Sequence, residues 1–393
     1  MNVTKTIQSG FYAEEACDLS EFASLTAQTV RASDVPGAVS AEKNVPVYDM
    51  DGLRSRLENG SNRSDLLAEW AGVLQKGAGV FVLRKAYSDT RALDEATDVY
   101  YAIIEEEKQA SGGGADHFAA AGSNDRIWNS LQKLCERAPE TFVDYFSNQA
   151  IDAACESWLG PNYQMTAQVN VVHPGGKAQQ AHRDYHLGFQ TAEVSATYPA
   201  HVHDLSPLMT LQGGIAHVDV PIESGPTKLL PFSQLYRPGY AAWRRDDFRT
   251  YFEEHCVQLP LKKGDALFFN PALFHAAGEN ISADIHRMVN LLQISSAFGR
   301  AMETIDREKM CLLTYPCATR AWQSGTLSEQ ELNALIACTG EGYSFPTNLD
   351  RDPPVGGLAP RTQQALFKEA IISAMSETEF KSQLRDQEDR RKS

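Results

Sequence analysis

The sequence predicts a chain that is mainly β, with helices flanking a sandwich- or barrel-like core, on three observations. From Tyr163 onward short β-rich segments follow one another: QMTAQVNVV, LMTLQGGIAHVDV, TKLLPF, HCVQLPL, DALFF and RMVNLLQIS. Gly/Pro turns separate most of them, where alternating βαβ units would need helices. The N-terminal third instead carries apolar residues at helical spacing. Finally, 42% of the 393 residues are hydrophobic, enough for one large core with extensions.

Residues 1–44 are polar and Ala/Ser-rich without firm periodicity, and read as an arm or loosely docked tail. A helix is expected over 64–76, with Leu66, Leu67, Trp70, Val73 and Leu74 on one side and Gly77 as its stop. GVFVL, ending at Leu83, reads as a buried strand. Ser88 is placed to cap a helix reaching about Gln109, with Leu93, Val99, Tyr100 and Ile103 on its apolar side. The SGGG run at 111–114 breaks that helix. The loop over 116–129 carries His117, Phe118, Arg126 and Trp128, candidates for a lid over a substrate. For Trp128, burial beneath a helix-to-helix connection is an equally simple account. Two more helices are expected before Gly160. After residue 311 the strands stop. A helix over 328–337 with Glu329 and Glu331 in its first turn is followed by a Pro/Gly-rich link, a helix from about Arg361 and a charged tail. The expected organisation is therefore an arm (1–44), a β core with N-terminal helices (45–310) and a helical extension (311–393).

The balance of 36 basic against 51 acidic residues gives a net charge of -15, a field that repels nucleic-acid phosphates. Seven cysteines form no CxxC pair, which disfavours a disulfide framework or thiolate zinc site and fits a reducing cytoplasm. The first twenty residues lack a signal-peptide pattern, and no run approaches the roughly 18 apolar residues of a membrane span. The expectation is a soluble cytoplasmic protein, a candidate homodimer, with a small-molecule partner and neither nucleic acid nor membrane.

Chemistry concentrates in the β-rich half. HRDYH supplies His182, Arg183 and Asp184; NPALFHAAG supplies His275; Arg287 opens RMVNLLQIS. Two imidazoles and one carboxylate on one face of an iron leave three positions free for cosubstrate and oxygen. The H-x-D spacing suits an extended segment, where positions i and i+2 project to one side. A chelating cosubstrate such as 2-oxoglutarate leaves a far carboxylate, which the Arg287 guanidinium can clamp bidentately. Gln168 and Asn170 share a strand face and are further candidate cofactor contacts, although sheet hydrogen bonds account for them equally well.

Other pairs have plainer explanations. His217-Val218-Asp219 repeats the H-x-D spacing, but Asp219 is placed to order a turn. His182 and His186 have the spacing of a zinc helix, yet Arg183 stands where its glutamate would be and PGG nearby opposes a helix. His201 and His203 fall in a Pro-containing loop and read as solvated. His286 should face away from Arg287, and Asp265 reads as a turn residue.

The sequence resembles the phytanoyl-CoA dioxygenase family. The matching pieces are PGG at 174–176 before HRD, the turn ESGPTKLLPFSQ at 223–234, and KGDALFFNPALFHAAGEN ahead of Arg287. Ser224 replaces the usual Asn of that turn, and Phe232-Ser233-Gln234 replaces Gly-Ser-His. Order and spacing agree across roughly residues 45–300, most strongly from 163 to 298. The resemblance implies that His182, Asp184 and His275 bind Fe(2+) and that Arg287 holds 2-oxoglutarate. The implied fold is a double-stranded β-helix (jelly roll, cupin-like) flanked by helices. The implied activity is a dioxygenase that hydroxylates a C–H bond of a small organic molecule with O2, releasing succinate and CO2, with ascorbate a candidate reductant. Asp184 occupies the position that related halogenases leave open. A CoA ester is not implied, because no basic cluster for CoA phosphates is evident. The rival is a cupin-like metal enzyme or binding protein that does not use 2-oxoglutarate and has no need of Arg287. A catalytically silent interaction module is a third reading.

Overall fold

The computed structural model describes residues 10–58, 60–111 and 123–392. Ten strands are present among them: β1 (Ser40–Glu42), β2 (Val45–Asp49), β3 (Val80–Arg84), β4 (Asn124–Ile127), β5 (Gln164–Val172), β6 (Thr210–Ala216), β7 (Lys228–Leu229), β8 (Ala266–Phe269), β9 (His275–Ala276) and β10 (Arg287–Ser295). Eight form one sheet in the order β1-β2-β3-β8-β6-β10-β5-β4, antiparallel except for the β2–β3 pair. β7 and β9 pair separately, and isolated bridges join Leu229 to Val257 and His182 to His275. The result is a second, short-stranded layer in the order 257, 229, 275, 182.

QMTAQVNVV and RMVNLLQIS coincide with β5 and β10, which pair along their whole length from Gln164↔Ser295 to Val172↔Arg287. HCVQLPL is not a strand; its ladder pairing is limited to bridges at Val257 and Leu261, and Pro260 between them has no N–H to offer. Alternation divides the large sheet into two faces. Val169, Val171, Leu211, Ile215, Met288 and Leu292 are fully or almost fully buried on one face, in the same core as the helices. Gln168, Asn170, Gln212, Arg287, Val289, Leu291 and Gln293 share the other.

Strands hold far fewer residues than helices, so the mainly β expectation describes the centre of the fold and not its bulk. The Gly60–Gln75 helix buries Trp70 against Phe81, ring centroids 5.3 Å apart. The next helix spans Arg91–Ser111; Asp89, not Ser88, accepts the Arg91 N–H at 2.9 Å. Three helices, not two, precede Gly160: Ser130–Arg137, Pro139–Phe146 and Gln149–Leu159. The first two are divided by Ala138 alone, where Pro139 starts a new helix. In the C-terminal region Ser328 and Glu331 form a capping box, as the acidic first turn suggested. The charged tail is itself a helix, Glu377–Arg391, seated by Phe380 on Tyr315 at 4.3 Å.

The arm is also better docked than its composition suggested. Asp18 caps the Leu19–Thr26 helix, and Phe22, with no exposed surface, meets Tyr236, Phe248 and Phe274 at centroid distances of 5.4, 5.1 and 4.9 Å. Arg245 donates to the Glu14 and Cys17 carbonyls. Tyr12, Cys17 and Phe22 are among the arm's buried contacts, with Leu19 and Leu25 packed alongside, too few and too spread to give a firm period. Of the proposed lid, His117 and Phe118 lie outside the described residues. Arg126 sits on the edge strand β4 opposite Asn170, and its guanidinium lies over Trp128, 5.2 Å from the ring centroid.

Candidate metal centre

His182 and His275 face each other across a single antiparallel rung. Each backbone N–H donates to the other's carbonyl, at 3.0 and 3.2 Å, and the imidazole centroids lie 4.5 Å apart. Two residues on, Asp184 projects to the same side. Its Oδ1 lies 3.6 Å from His182 Nε2, and its Oδ2 lies 3.4 Å from His275 Nε2. One ligating atom from each residue falls within 4.8 Å of the others, and no second such group of three occurs among the described residues.

Neighbouring groups prepare all three for a metal. His182 Nδ1 lies 2.8 Å from the Gln180 carbonyl and His275 Nδ1 2.9 Å from the Leu273 carbonyl, so each Nδ1–H donates and Nε2 keeps its lone pair. Burial pushes the His182 imidazole down, favouring its neutral, ligating form. Burial alone would raise the Asp184 carboxyl. Positive charge on the histidine side, which a bound cation would supply in place of ring protons, and the Gln212 amide outweigh it and hold the group well below the usual carboxylate range. Gln212 Nε2 donates to Asp184 Oδ2 at 2.5 Å and lies 3.4 Å from Gln293 Oε1. Two nitrogens and one oxygen with directed lone pairs fit iron(II) in a facial arrangement.

The residue between the ligands points the other way. Arg183 is 2% exposed, donates to the Ser233 and Tyr236 carbonyls at 2.7 and 2.9 Å, and lies 5.2 Å from both the Tyr240 and Phe274 ring centroids. It anchors the motif from behind. The chain then turns through positive φ at Tyr185 (64°) and His186 (38°), costly for non-glycine residues and a feature that clusters at functional sites. His186 consequently turns to Ser206 Oγ at 2.9 Å, which removes the zinc-helix reading.

Arg287 is 6% exposed. Its Nη1 donates to the carbonyls of Ser224 and Gly278 at 2.9 and 3.3 Å, and no carboxylate among the described residues pairs with it. Burial, uncompensated by any neighbouring charge, pushes the guanidinium down to about 10. Gln168 and Asn170 stand elsewhere on that face, opposite Leu291 and Val289. Gln168 accepts from Arg126 Nη1 at 2.9 Å and donates to Glu303 Oε1 at 3.3 Å. Asn170 Oδ1 is buried without a partner among the described residues.

The remaining histidines are structural in their contacts. His217 lies on the opposite face of the sheet, between Thr97 Oγ1 at 2.8 Å and Tyr145 Oη at 2.9 Å. Asp219 accepts from Lys262 Nζ and the Lys263 N–H, ordering the turn as expected. His203 is buried on the Ala200–Leu208 helix with its Nε2 3.2 Å from the Ser195 carbonyl, so the expectation of a solvated loop fails there. His286 is exposed and meets His173, Nδ1 to Nδ1 at 2.7 Å. Asp265 accepts from Arg84 Nη1 at 2.7 Å and from two backbone N–H groups, as a turn residue would. Sequence reasoning missed Gln212, which strand alternation could have placed, and Glu303, for which the sequence carries no signal.

The fold and the cluster define a class: a two-layered β core, backed by helices, carrying one half-buried His-Asp-His site among the described residues, with the donor set of a non-haem iron centre. The lineage is equally definite. The phytanoyl-CoA dioxygenase family matches residues 76–289, more than half of the sequence, and the chain belongs to that family. The dioxygenase trt7 of Aspergillus terreus is 27% identical over 139 residues, 35% of this chain and 43% of that protein. The dioxygenase andF of Emericella variicolor is 26% identical over 139 residues, 34% and 43% respectively. The chain thus matches less than half the length of these relatives. Among solved structures, the α-ketoglutarate-dependent epimerase SnoN from nogalamycin biosynthesis aligns at 18% identity and a TM-score of 0.40, over 60% of this chain and 84% of its own. The carbocyclase SnoK aligns at 22% identity and 0.41, over 58% and 83%. No helix among the described residues is long and apolar enough to cross a membrane.

Proposed function

We propose that the protein is an Fe(II)/2-oxoglutarate-dependent dioxygenase that hydroxylates a C–H bond of a small organic molecule. One observation carries the reading: a ready His-Asp-His donor set shares the fold with a buried arginine that has no carboxylate partner among the described residues. His182, Asp184 and His275 would hold the metal. Bound together, iron(II) and 2-oxoglutarate supply oxygen activation coupled to release of succinate and CO2. Arg287 holds the far carboxylate of the cosubstrate, the charge partner its buried position lacks. The Ser224 and Gly278 carbonyls fix its orientation, and Gln212 restrains the Asp184 carboxylate. Val289 and Leu291, half-buried on the same face as Arg287, give the neighbouring space an apolar lining. The two β layers support a double-stranded β-helix, and burial of six of the seven free cysteines suits the cytoplasm.

The test is an anaerobic titration of the protein with iron(II) and 2-oxoglutarate, following the visible metal-to-ligand charge-transfer band, with Asp184→Ala in parallel. A band in the wild type that is lost in the variant supports the reading. A folded, iron-loaded wild type that shows no band refutes it and leaves the cupin-like alternative.

A further inference from the structure

The metal-facing side of the large sheet carries a second polar cluster, away from Arg287. Arg126 on β4, Gln168 on β5 and Glu303, from the segment after β10, form a hydrogen-bonded chain. The Asn129 N–H adds a third contact, donating to Glu303 Oε1 at 2.7 Å. Two donors therefore converge on Oε1. Oε2 is buried and has no partner among the described residues. An unmatched carboxylate oxygen costs folding free energy, so its retention calls for another explanation.

Its position supplies one. Strand alternation places Gln168 on the face that also bears Gln212, the partner of Asp184, and Arg287. Half-buried Val289 and Leu291 lie alongside. Glu303 also borders a cavity of about 450 Å³, with Gln164, Arg300 and Arg307 among its lining.

We propose that Glu303 is a specificity-determining residue whose Oε2 accepts a hydrogen bond from a hydroxyl or protonated amine of the substrate. The substrate is then a polar small molecule that pairs an apolar body, over Val289 and Leu291, with a donor group remote from the oxidised carbon. A plain acyl chain lacks the donor that Oε2 requires. Recognition rests on the oxygenase reading only for the identity of this space as the substrate site.

The experiment measures binding, so it does not depend on turnover. The iron(II)- and 2-oxoglutarate-loaded protein, kept anaerobic, is titrated with cyclohexanol, cyclohexylamine, methylcyclohexane and cyclohexanone by ligand-observed NMR. The alcohol and amine should bind about tenfold more tightly than the hydrocarbon and ketone, the worth of one hydrogen bond to a charged group. Glu303→Gln keeps the oxygen that meets the Asn129 N–H and turns Oε2 into an N–H donor. It should reverse the order in favour of cyclohexanone, with the amine losing more than the alcohol. Glu303→Leu should abolish the preference. A structural role would weaken all four ligands alike. Equal or absent binding by the wild type, or an order unchanged in Glu303→Gln, overturns the proposal. A missing charge-transfer band would count against the oxygenase reading alone.

Discussion

Replacing Arg287 with methionine should improve the empty protein and disable the loaded one. The fall of the guanidinium from 12.5 to about 10 corresponds to roughly 3 kcal/mol of destabilisation of the charged form. Arginine is protonated in both folded and unfolded chains at neutral pH, so this cost applies throughout the working range and is relieved only above about pH 10. Methionine removes it but leaves the Ser224 and Gly278 carbonyls without their donor, at about 1 kcal/mol each. The remainder is about 1 kcal/mol in favour of the variant, a rise in melting temperature of about 1–2 °C in a chain of this size. With cosubstrate the sign reverses. Loss of a buried charge partner costs about 2–5 kcal/mol, or roughly 30- to 5,000-fold in 2-oxoglutarate affinity. Thermal melts of the iron-loaded protein with and without 2-oxoglutarate read both effects under anaerobic conditions. A variant that melts several degrees lower when empty, yet binds 2-oxoglutarate within about threefold of wild type, would show that Arg287 is a structural cation.

Three further perturbations test other parts of the molecule. Gln212→Leu should weaken iron(II) binding about 10- to 100-fold by freeing the Asp184 carboxylate, measured by competition with a chelator; unchanged affinity would remove Gln212 from the site. His217 stands at about 3 when folded and 6.5 in its reference state, so its contribution is intact above pH 6.5 and is lost as pH falls towards 3. Between pH 7 and pH 5 that amounts to about 2 kcal/mol, visible in urea unfolding of the wild type and missing from His217→Gln. Phe22→Ala should cost about 3–5 kcal/mol and expose the N-terminal helix to limited proteolysis, whereas a loosely attached arm would make the substitution silent.

Legibility in the sequence followed the physics of each feature. The meeting of His182, Asp184 and His275 was readable because an H-x-D pair in an extended segment projects to one side, where a third ligand can arrive from another segment. β5 and β10 were readable because apolar runs bounded by turns have few other solutions. Gln168 was visible as a polar residue on a buried face, but its bonds to Arg126 and Glu303 depend on the path of the chain after β10, which no local pattern records. Gln212 looks like any polar residue in a strand until Asp184 is placed opposite it. The Leu19–Thr26 helix docks by Phe22 with partly buried Leu19 and Leu25 beside it, a pattern too short to stand out in a polar segment, and β4 is a short polar edge strand that reads as loop. Ala138 separates two helices by a single residue, below what periodicity resolves.

The rung joining His182 to His275 bears on how the protein reaches its active form. Slipping either segment by one residue would turn one imidazole to the far side of its layer and leave the aspartate with a single histidine. Only the correctly registered chain presents the full donor set, so a cation bound there would add its binding energy to that one pairing and to no misaligned one. A metal held by these three residues would therefore favour the native strand register as well as complete the site.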